Sequence, residues 1–208
     1  MKCPLCSSPS NHFYTHQHRE FYFCTSCFSV FLDDKNYLTE AEEKKHYEFH
    51  NNDVNDKGYQ QFVSPIVDAI KKDFSPKHKG LDFGSGTGPV ITKMLRDEGF
   101  SIIEYDPFFA NNPKVLKENY DYIACCEVIE HFHHPYKEFK KLFNLLLPGG
   151  KLYCKTDFFS EKNNFDTWYY KNDPTHVFFY HPKTMEWITK NIGFSSYMIK
   201  GRVTVFVR

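Results

Sequence analysis

From Gly80 to Gly88 the chain reads Gly-Leu-Asp-Phe-Gly-Ser-Gly-Thr-Gly, with glycine at every second position from Gly84 onward. The run follows an apolar segment and precedes one of helical periodicity, the context in which such a loop carries meaning. Lacking Cβ atoms, its backbone can turn sharply and let a ligand come close, so the loop predicts a strand–turn–helix unit with a binding site at the strand's carboxyl end. Downstream, the pattern predicts strands over 79–83, 101–106, 114–117, 120–126, 150–156, 195–200 and 202–207. Helices are expected over 88–98, 135–147 and 182–192. Pro89 suits the opening turn of the first, where a missing N–H costs nothing. Leu147-Pro148-Gly149-Gly150 stops the second. This alternation predicts an α/β fold, a mostly parallel sheet covered by helices on both faces. The last two strands, split at Gly201, read as an antiparallel hairpin.

The loop also constrains its ligand. A dinucleotide site spaces its glycines Gly-x-Gly-x-x-Gly and sets pyrophosphate on a helix N-terminus. Here Gly88 comes one residue earlier, and Asp82 stands just before the loop. A carboxylate there repels pyrophosphate but suits an ammonium and a sulfonium, which points to S-adenosylmethionine. Ser85 lies inside the loop and joins Asp82, Gly84, Gly86 and Gly88 as a cofactor-binding candidate. At the end of the next strand, Asp106 can accept hydrogen bonds from both ribose hydroxyls. It is preferred over Glu104 because it is the last residue before the chain turns at Pro107.

Cys3-x-x-Cys6 and Cys24-x-x-Cys27, 17 residues apart, form a four-thiolate pattern suited to tetrahedral zinc. A redox pair or an iron site is the other reading. Zinc would supply stability that about thirty residues cannot draw from apolar burial. Four thiolates leave no open position, so Zn2+ is expected to be structural. Residues 1–35 thus read as a zinc-ribbon module. Residues 36–76 read as a helical connector closed by Pro76, with one helix starting at Thr39 and another over Gly58–Lys72. Within this connector, His46-Tyr47-Glu48-Phe49-His50-Asn51-Asn52 is a candidate lid. Residues 77–208 form the main domain.

Leu81–Gly88, Tyr105-Asp106-Pro107, Glu127-Val128-Ile129-Glu130-His131 and Leu147–Gly150 together resemble class I S-adenosylmethionine-dependent methyltransferases over about residues 77–208. Lys171–Tyr180 is similar to a signature of a bacterial group that joins an N-terminal zinc ribbon to this domain. The resemblance implies a Rossmann-like sheet of seven strands with a reversed final hairpin, the cofactor crossing the carboxyl ends of the first strands. It puts Asp82, Gly84, Gly86 and Gly88 around the methionine part and Asp106 at the ribose. Cys125, Cys126 and Glu127 would face the methyl-donor position, with Cys126 a cofactor contact and neither cysteine a nucleophile. Phe108–Asn119 is shorter than the corresponding section of the class, so the resemblance assigns no adenine-contacting residue.

Methyl transfer needs an acceptor held in line with the sulfonium and sometimes a base. Glu127, Glu130 and His131 offer such groups, or else shape the loop and contact cofactor. In the aromatic stretch Trp168–His181, His176 is the foremost candidate for a base or substrate ligand, with Tyr180 and Asp173 in support. Its alternative is a structural bond that locks the loop. Lys+Arg and Asp+Glu balance at 26 each, which argues against nucleic acid as the main partner. A small-molecule acceptor is the leading expectation. RNA or protein methylation with the ribbon gripping the substrate, and a non-catalytic cofactor-binding scaffold, are the alternatives. No apolar stretch is long enough to cross a membrane, and the first residues do not resemble a signal peptide. The expectation is a cytoplasmic protein whose seven cysteines are not disulfides.

Overall fold

The computed structural model describes residues 1–49, 53–160 and 164–208. At the N-terminus β1 (Asn11–His16), β2 (Arg19–Phe23) and β3 (Val30–Leu32) form an antiparallel sheet. Two helices follow, α1 (Glu40–Glu48) and α2 (Lys57–Asp73). Thr39 caps α1 as expected, its hydroxyl accepting from the Glu42 N–H while the Glu42 carboxylate accepts from the Thr39 N–H.

Then come β4 (Lys79–Phe83), α3 (Val90–Asp97), β5 (Ser101–Tyr105) and β6 (Tyr120–Cys126). After these, α4 (Pro135–Leu145) leads directly into β7 (Leu146–Lys155). The chain closes with the short β8 (Phe178–Phe179), α5 (Pro182–Ile188), β9 (Ser196–Lys200) and β10 (Val203–Val207).

The central sheet runs in the order β5-β4-β6-β7-β10-β9. Its first four strands and the edge strand β9 run parallel, and only β10, between β7 and β9, is reversed, which makes β9 and β10 the antiparallel hairpin expected at Gly201. Alternate residues of a strand face opposite sides. Tyr122 and Ala124 accordingly join the apolar layer of α2 and α3, while Ile123 and Cys125 join the layer of α4 and α5. β4 has β5 on one side and β6 on the other, so the chain reverses direction there. The crevice at such a switch point is where open α/β sheets bind ligands.

One expected strand is absent. Residues 114–117 instead form a single tight turn at Val115–Lys117. Pro113 immediately before it has no N–H to give a ladder, and Val115 is buried with its carbonyl accepting from the Tyr120 hydroxyl at 2.7 Å. With no strand between β5 and β6, the central sheet has six strands among the described residues rather than seven.

The N-terminal sheet is completed by the far end of the chain. β8 pairs with β3, Val30 opposite Phe179 and Phe31 opposite Phe178. Phe165 fills the junction, its ring 5.2–5.9 Å from those of Phe13, Tyr14, Phe21 and Phe179. Aromatic rings thus join the cysteine-bearing module to the segment that follows β7.

A buried cation fixes that joint. Arg19, on β2, donates to the carbonyls of Lys171 (2.8 Å), Asp173 (3.2 Å) and His176 (3.0 Å). Three carbonyls of an irregular loop have no ladder to satisfy them, and an unpaired buried acceptor costs about 1–3 kcal/mol. Arg19→Met keeps most of the apolar stem and removes the donors. We expect it to lower unfolding free energy in urea by about 3 kcal/mol or more; a change within about 0.5 kcal/mol would show that the clamp carries no stability.

Candidate active site

β4 ends at Phe83 and the glycine loop begins. Gly84 (φ 79°) and Gly86 (φ 64°) adopt the left-handed conformation that glycine tolerates without cost. A Cβ on Gly84 would lie 2.4 Å from a Val128 methyl, so close approach requires glycine there as well. The N–H groups of Gly84 and Ser85 donate to the Tyr105 carbonyl at 2.8 and 3.2 Å. Asp106 ties the two loops together. Its Oδ2 accepts from the Gly86 N–H at 3.0 Å, and its Oδ1 accepts from those of Phe108 and Phe109 at 2.8 and 3.1 Å. Each carboxylate oxygen has two acceptor sites, so capacity remains toward a ligand.

Above this floor opens a cavity of about 730 Å³, within the range of small-molecule and cofactor sites. Gly84, Ser85, Gly86 and Asp106 line one side; Cys126, Glu127, His131 and His176 also reach it. From α1, Glu43 and Tyr47 enter the wall, so part of the candidate lid faces the cavity. His46 lies 3.5 Å from Asp173, and His50, Asn51 and Asn52 fall outside the described residues. Glu43 is also 2.9 Å from His133.

Glu127 takes φ 53°, uncommon for a residue with a side chain. Its carboxylate is engaged from three sides: Arg202 at 2.9 and 3.0 Å, Lys155 at 3.4 Å, and the Tyr170 hydroxyl at 3.0 Å. Tyr170 also bonds Glu130, which is wholly buried. Burial, and then the neighbouring Glu127 charge, push Glu130 up to about 8, so it carries a proton at neutral pH. The Tyr170 hydroxyl thus stands between the two acids, within donating reach of both Glu127 and Glu130.

The two histidines meet at the opposite wall, ring centroids 4.8 Å apart. His176 Nδ1 lies 2.7 Å from the Tyr170 carbonyl, and His131 Nδ1 lies 3.0 Å from the Thr175 carbonyl and 3.1 Å from the Tyr47 hydroxyl. A carbonyl only accepts, so each Nδ1 carries the hydrogen and each Nε2 the lone pair. Burial, then the adjacent His131 ring, pull His176 down to about 3, so it stays neutral. The loop that bears it is the one Arg19 clamps.

Other expected residues lie elsewhere. Tyr180 is fully buried away from the cavity wall, its hydroxyl donating to the Ile129 carbonyl at 2.8 Å. It supports the turn that presents Glu130 and His131. Asp82 sits beneath the glycine loop, buried, accepting from the Thr92 hydroxyl at 2.9 Å. Gly88 also stands behind the wall, at the start of α3. Tyr170, Arg202, Glu43 and Arg19 were not singled out in the sequence. Arg202, a lone cation between Gly201 and the apolar run Val203–Val207, offered the clearest signal.

At the far end of the N-terminal sheet, four free thiols converge. Cys3 and Cys27 sulfurs are 3.5 Å apart and those of Cys6 and Cys24 3.4 Å. A tetrahedral zinc with bonds of about 2.3 Å would set sulfurs about 3.8 Å apart, so the cluster fits one such ion.

A family model described as "Methyltransferase domain" matches residues 55–197. The fold is similar to a SAM-dependent methyltransferase from Archaeoglobus fulgidus (TM-score 0.53, 18% identity, 67% of this chain and 71% of that one). It is also similar to human N-acetylserotonin methyltransferase in complex with SAM (TM-score 0.54, 12% identity, 82% and 56%). A third similar structure is an O-methyltransferase family protein from Burkholderia thailandensis (TM-score 0.51, 12% identity, 71% and 56%). The chain therefore spans little more than half the length of the last two. No curated protein sequence matches it.

Burial pushes Asp82 up to about 6, against the lowering pull of the Thr92 hydrogen bond. The unfolded carboxylate titrates near 3.9, so ionisation costs the native state as pH rises between those values. Stability from this group is highest below pH 4, falls through the window up to pH 6, and stays lower above it by about 3 kcal/mol. Asp82→Asn, which keeps an acceptor for Thr92, is expected to flatten that slope and raise the melting temperature at pH 7.5 by a few degrees. An unchanged slope would show that Asp82 ionises without penalty.

Proposed function

The chain belongs to the methyltransferase-domain family, and on that premise we propose that it transfers the methyl group of S-adenosylmethionine to a small-molecule acceptor. One observation carries the reading: a single cavity joins the glycine loop and Asp106 to the Glu127–His131–His176 wall. When bound, S-adenosylmethionine supplies an electrophilic methyl on a sulfonium.

Asp106 offers its remaining acceptor capacity to the ribose hydroxyls, and the Gly84–Gly86 backbone lets the methionine part come close. Asp82 acts from below the loop, by its charge and by fixing Thr92. Cys126 closes the cofactor side as a small packing residue. Glu127, held by Arg202 and Lys155, is a fixed negative charge beside the sulfonium position rather than a proton acceptor. The Nε2 atoms of His131 and His176 face the acceptor and orient it. Tyr180 supports them from behind.

We assign Zn2+ to Cys3, Cys6, Cys24 and Cys27, with a structural role. The ribbon (1–35) then braces the active-site loop through Arg19 and β3, the connector (36–76) covers the cavity, and 77–208 carries the catalytic fold. Seven free cysteines suit a reducing, cytoplasmic setting. No helix among the described residues is long and apolar enough to cross a membrane.

Incubation with methyl-tritiated S-adenosylmethionine and a fractionated bacterial extract tests the acceptor class. Label should enter the small-molecule fraction, and entry into RNA or protein alone would contradict the reading. Absence of label from every fraction, with cofactor still bound, would favour a non-catalytic scaffold. With an accepting fraction in hand, Asp106→Ala should weaken cofactor binding about tenfold, the loss of one charged hydrogen bond. His176→Ala should abolish label transfer while leaving that affinity within about twofold; equal loss of both would make His176 a cofactor contact.

A further inference from the structure

The loop clamped by Arg19 turns two hydrogen-bond acceptors toward the cavity. Asp173-Pro174-Thr175-His176 closes on itself, the His176 N–H donating to the Asp173 carbonyl at 3.2 Å, and Pro174 presets the backbone at the position a turn favours. Both end residues line the cavity, with Asp173 Oδ2 3.9 Å from His176 Nε2. Neither atom has a hydrogen to offer. His176 carries its hydrogen on Nδ1, against the Tyr170 carbonyl at 2.7 Å, and an aspartate is ionised at neutral pH. Asp173 Oδ1 already accepts from the Thr175 N–H (2.8 Å) and hydroxyl (2.5 Å), with His46 Nε2 3.5 Å away. Oδ2 is the oxygen left for a ligand.

The surrounding charges narrow the ligand. Of the other carboxylates on the lining, Glu127 is paired with Arg202, Glu138 with Lys141 at 2.6 Å, and Asp106 with backbone N–H groups. Glu43 meets His133 at 2.9 Å. Asp173 has no lysine or arginine ion pair among the described residues, and Arg19, which donates to the loop's carbonyls, is not on the lining. A phosphate or carboxylate would meet that negative charge and the His176 lone pair together. A hydroxyl has one hydrogen and serves one acceptor of the two. A protonated amine has three and carries the opposite charge, and a nitrogen about 2.9 Å from both atoms spans their separation. The Tyr47 and Tyr170 rings on the same lining also suit a cation. We propose that the methyl acceptor carries a protonated amino group, held between Asp173 Oδ2 and His176 Nε2. The amino group is an anchor in this assignment, and neither proton nor methyl transfer runs through it. This names the acceptor's class and rests on the methyltransferase reading for the acceptor's role, though the binding of an ammonium does not.

The test is titration of the full-length, zinc-loaded protein, with S-adenosylhomocysteine present, against benzylamine, benzyl alcohol and benzoate at neutral pH, followed by ligand-observed nuclear magnetic resonance. The three probes share one ring and differ in charge. Benzylamine is expected to saturate about tenfold or more tightly than benzyl alcohol, with benzoate weaker still. Asp173→Asn, which keeps an acceptor for Thr175, should erase that preference and leave S-adenosylhomocysteine affinity within about twofold. Equal binding of amine and alcohol, tighter binding of benzoate, no saturation by any probe below about 10 mM, or a preference that survives in Asp173→Asn would overturn the assignment. If circular dichroism shows that variant unfolded, the comparison of the three probes on the unsubstituted protein decides alone. Titration with S-adenosylhomocysteine by itself separates the two readings. A chain that prefers the amine but does not bind S-adenosylhomocysteine keeps the ammonium site and loses the methyltransferase; one that binds S-adenosylhomocysteine without the preference loses the ammonium site alone.

Discussion

The Arg19 guanidinium is what makes one active site out of two distant parts of the chain. The loop from Lys171 to His176 has no regular ladder of its own, yet it carries the His176 imidazole that lines the cavity. Arg19 supplies donors to three carbonyls of that loop from a strand 152 to 157 residues earlier. A guanidinium suits this because its planar fork presents several fixed donors and stays charged when buried. The β3–β8 pairing and the aromatic junction at Phe165 then exclude water around it. A rigid N-terminal sheet is a condition of this arrangement, which gives the four-cysteine cluster a physical purpose without assigning it any chemistry.

The rest of the site is held in costly conformations by the same logic. Glu127 is left-handed, Glu130 is protonated by burial, and Asp82 is ionised in an apolar setting. Each lowers stability alone, and sites whose geometry must be preset commonly bear such costs. What offsets them is the mutual engagement of Glu127, Arg202, Lys155 and Tyr170, together with close packing on both faces of the sheet.

Much of this was legible in the residues. Glycine spacing announced the turn after β4, because only glycine accepts φ 79° with Val128 so near. Paired Cys-x-x-Cys motifs announced the thiol cluster, because two such turns bring four sulfurs together. The helix and strand periods placed most elements. Pairing across long separations was not legible: nothing in the sequence near Arg19 marks Lys171 as its partner, and Tyr170 read only as one aromatic among many. The expected strand at 114–117 failed for a local reason, since Pro113 and the Val115–Tyr120 contact favour a turn. Tyr180 read as a site residue by proximity in sequence to His176. A tyrosine four residues on, just past the short strand β8, falls behind the wall instead, and only the three-dimensional structure shows it.

The proposed ligand of this cavity is a sulfonium-bearing nucleoside, and that is the claim to test first. Calorimetric titration of the zinc-loaded protein with S-adenosylmethionine, S-adenosylhomocysteine and, as control, NAD addresses it directly. Saturable binding of the first two with no heat from NAD is the predicted result. Binding of neither, or of NAD alone, would contradict the account.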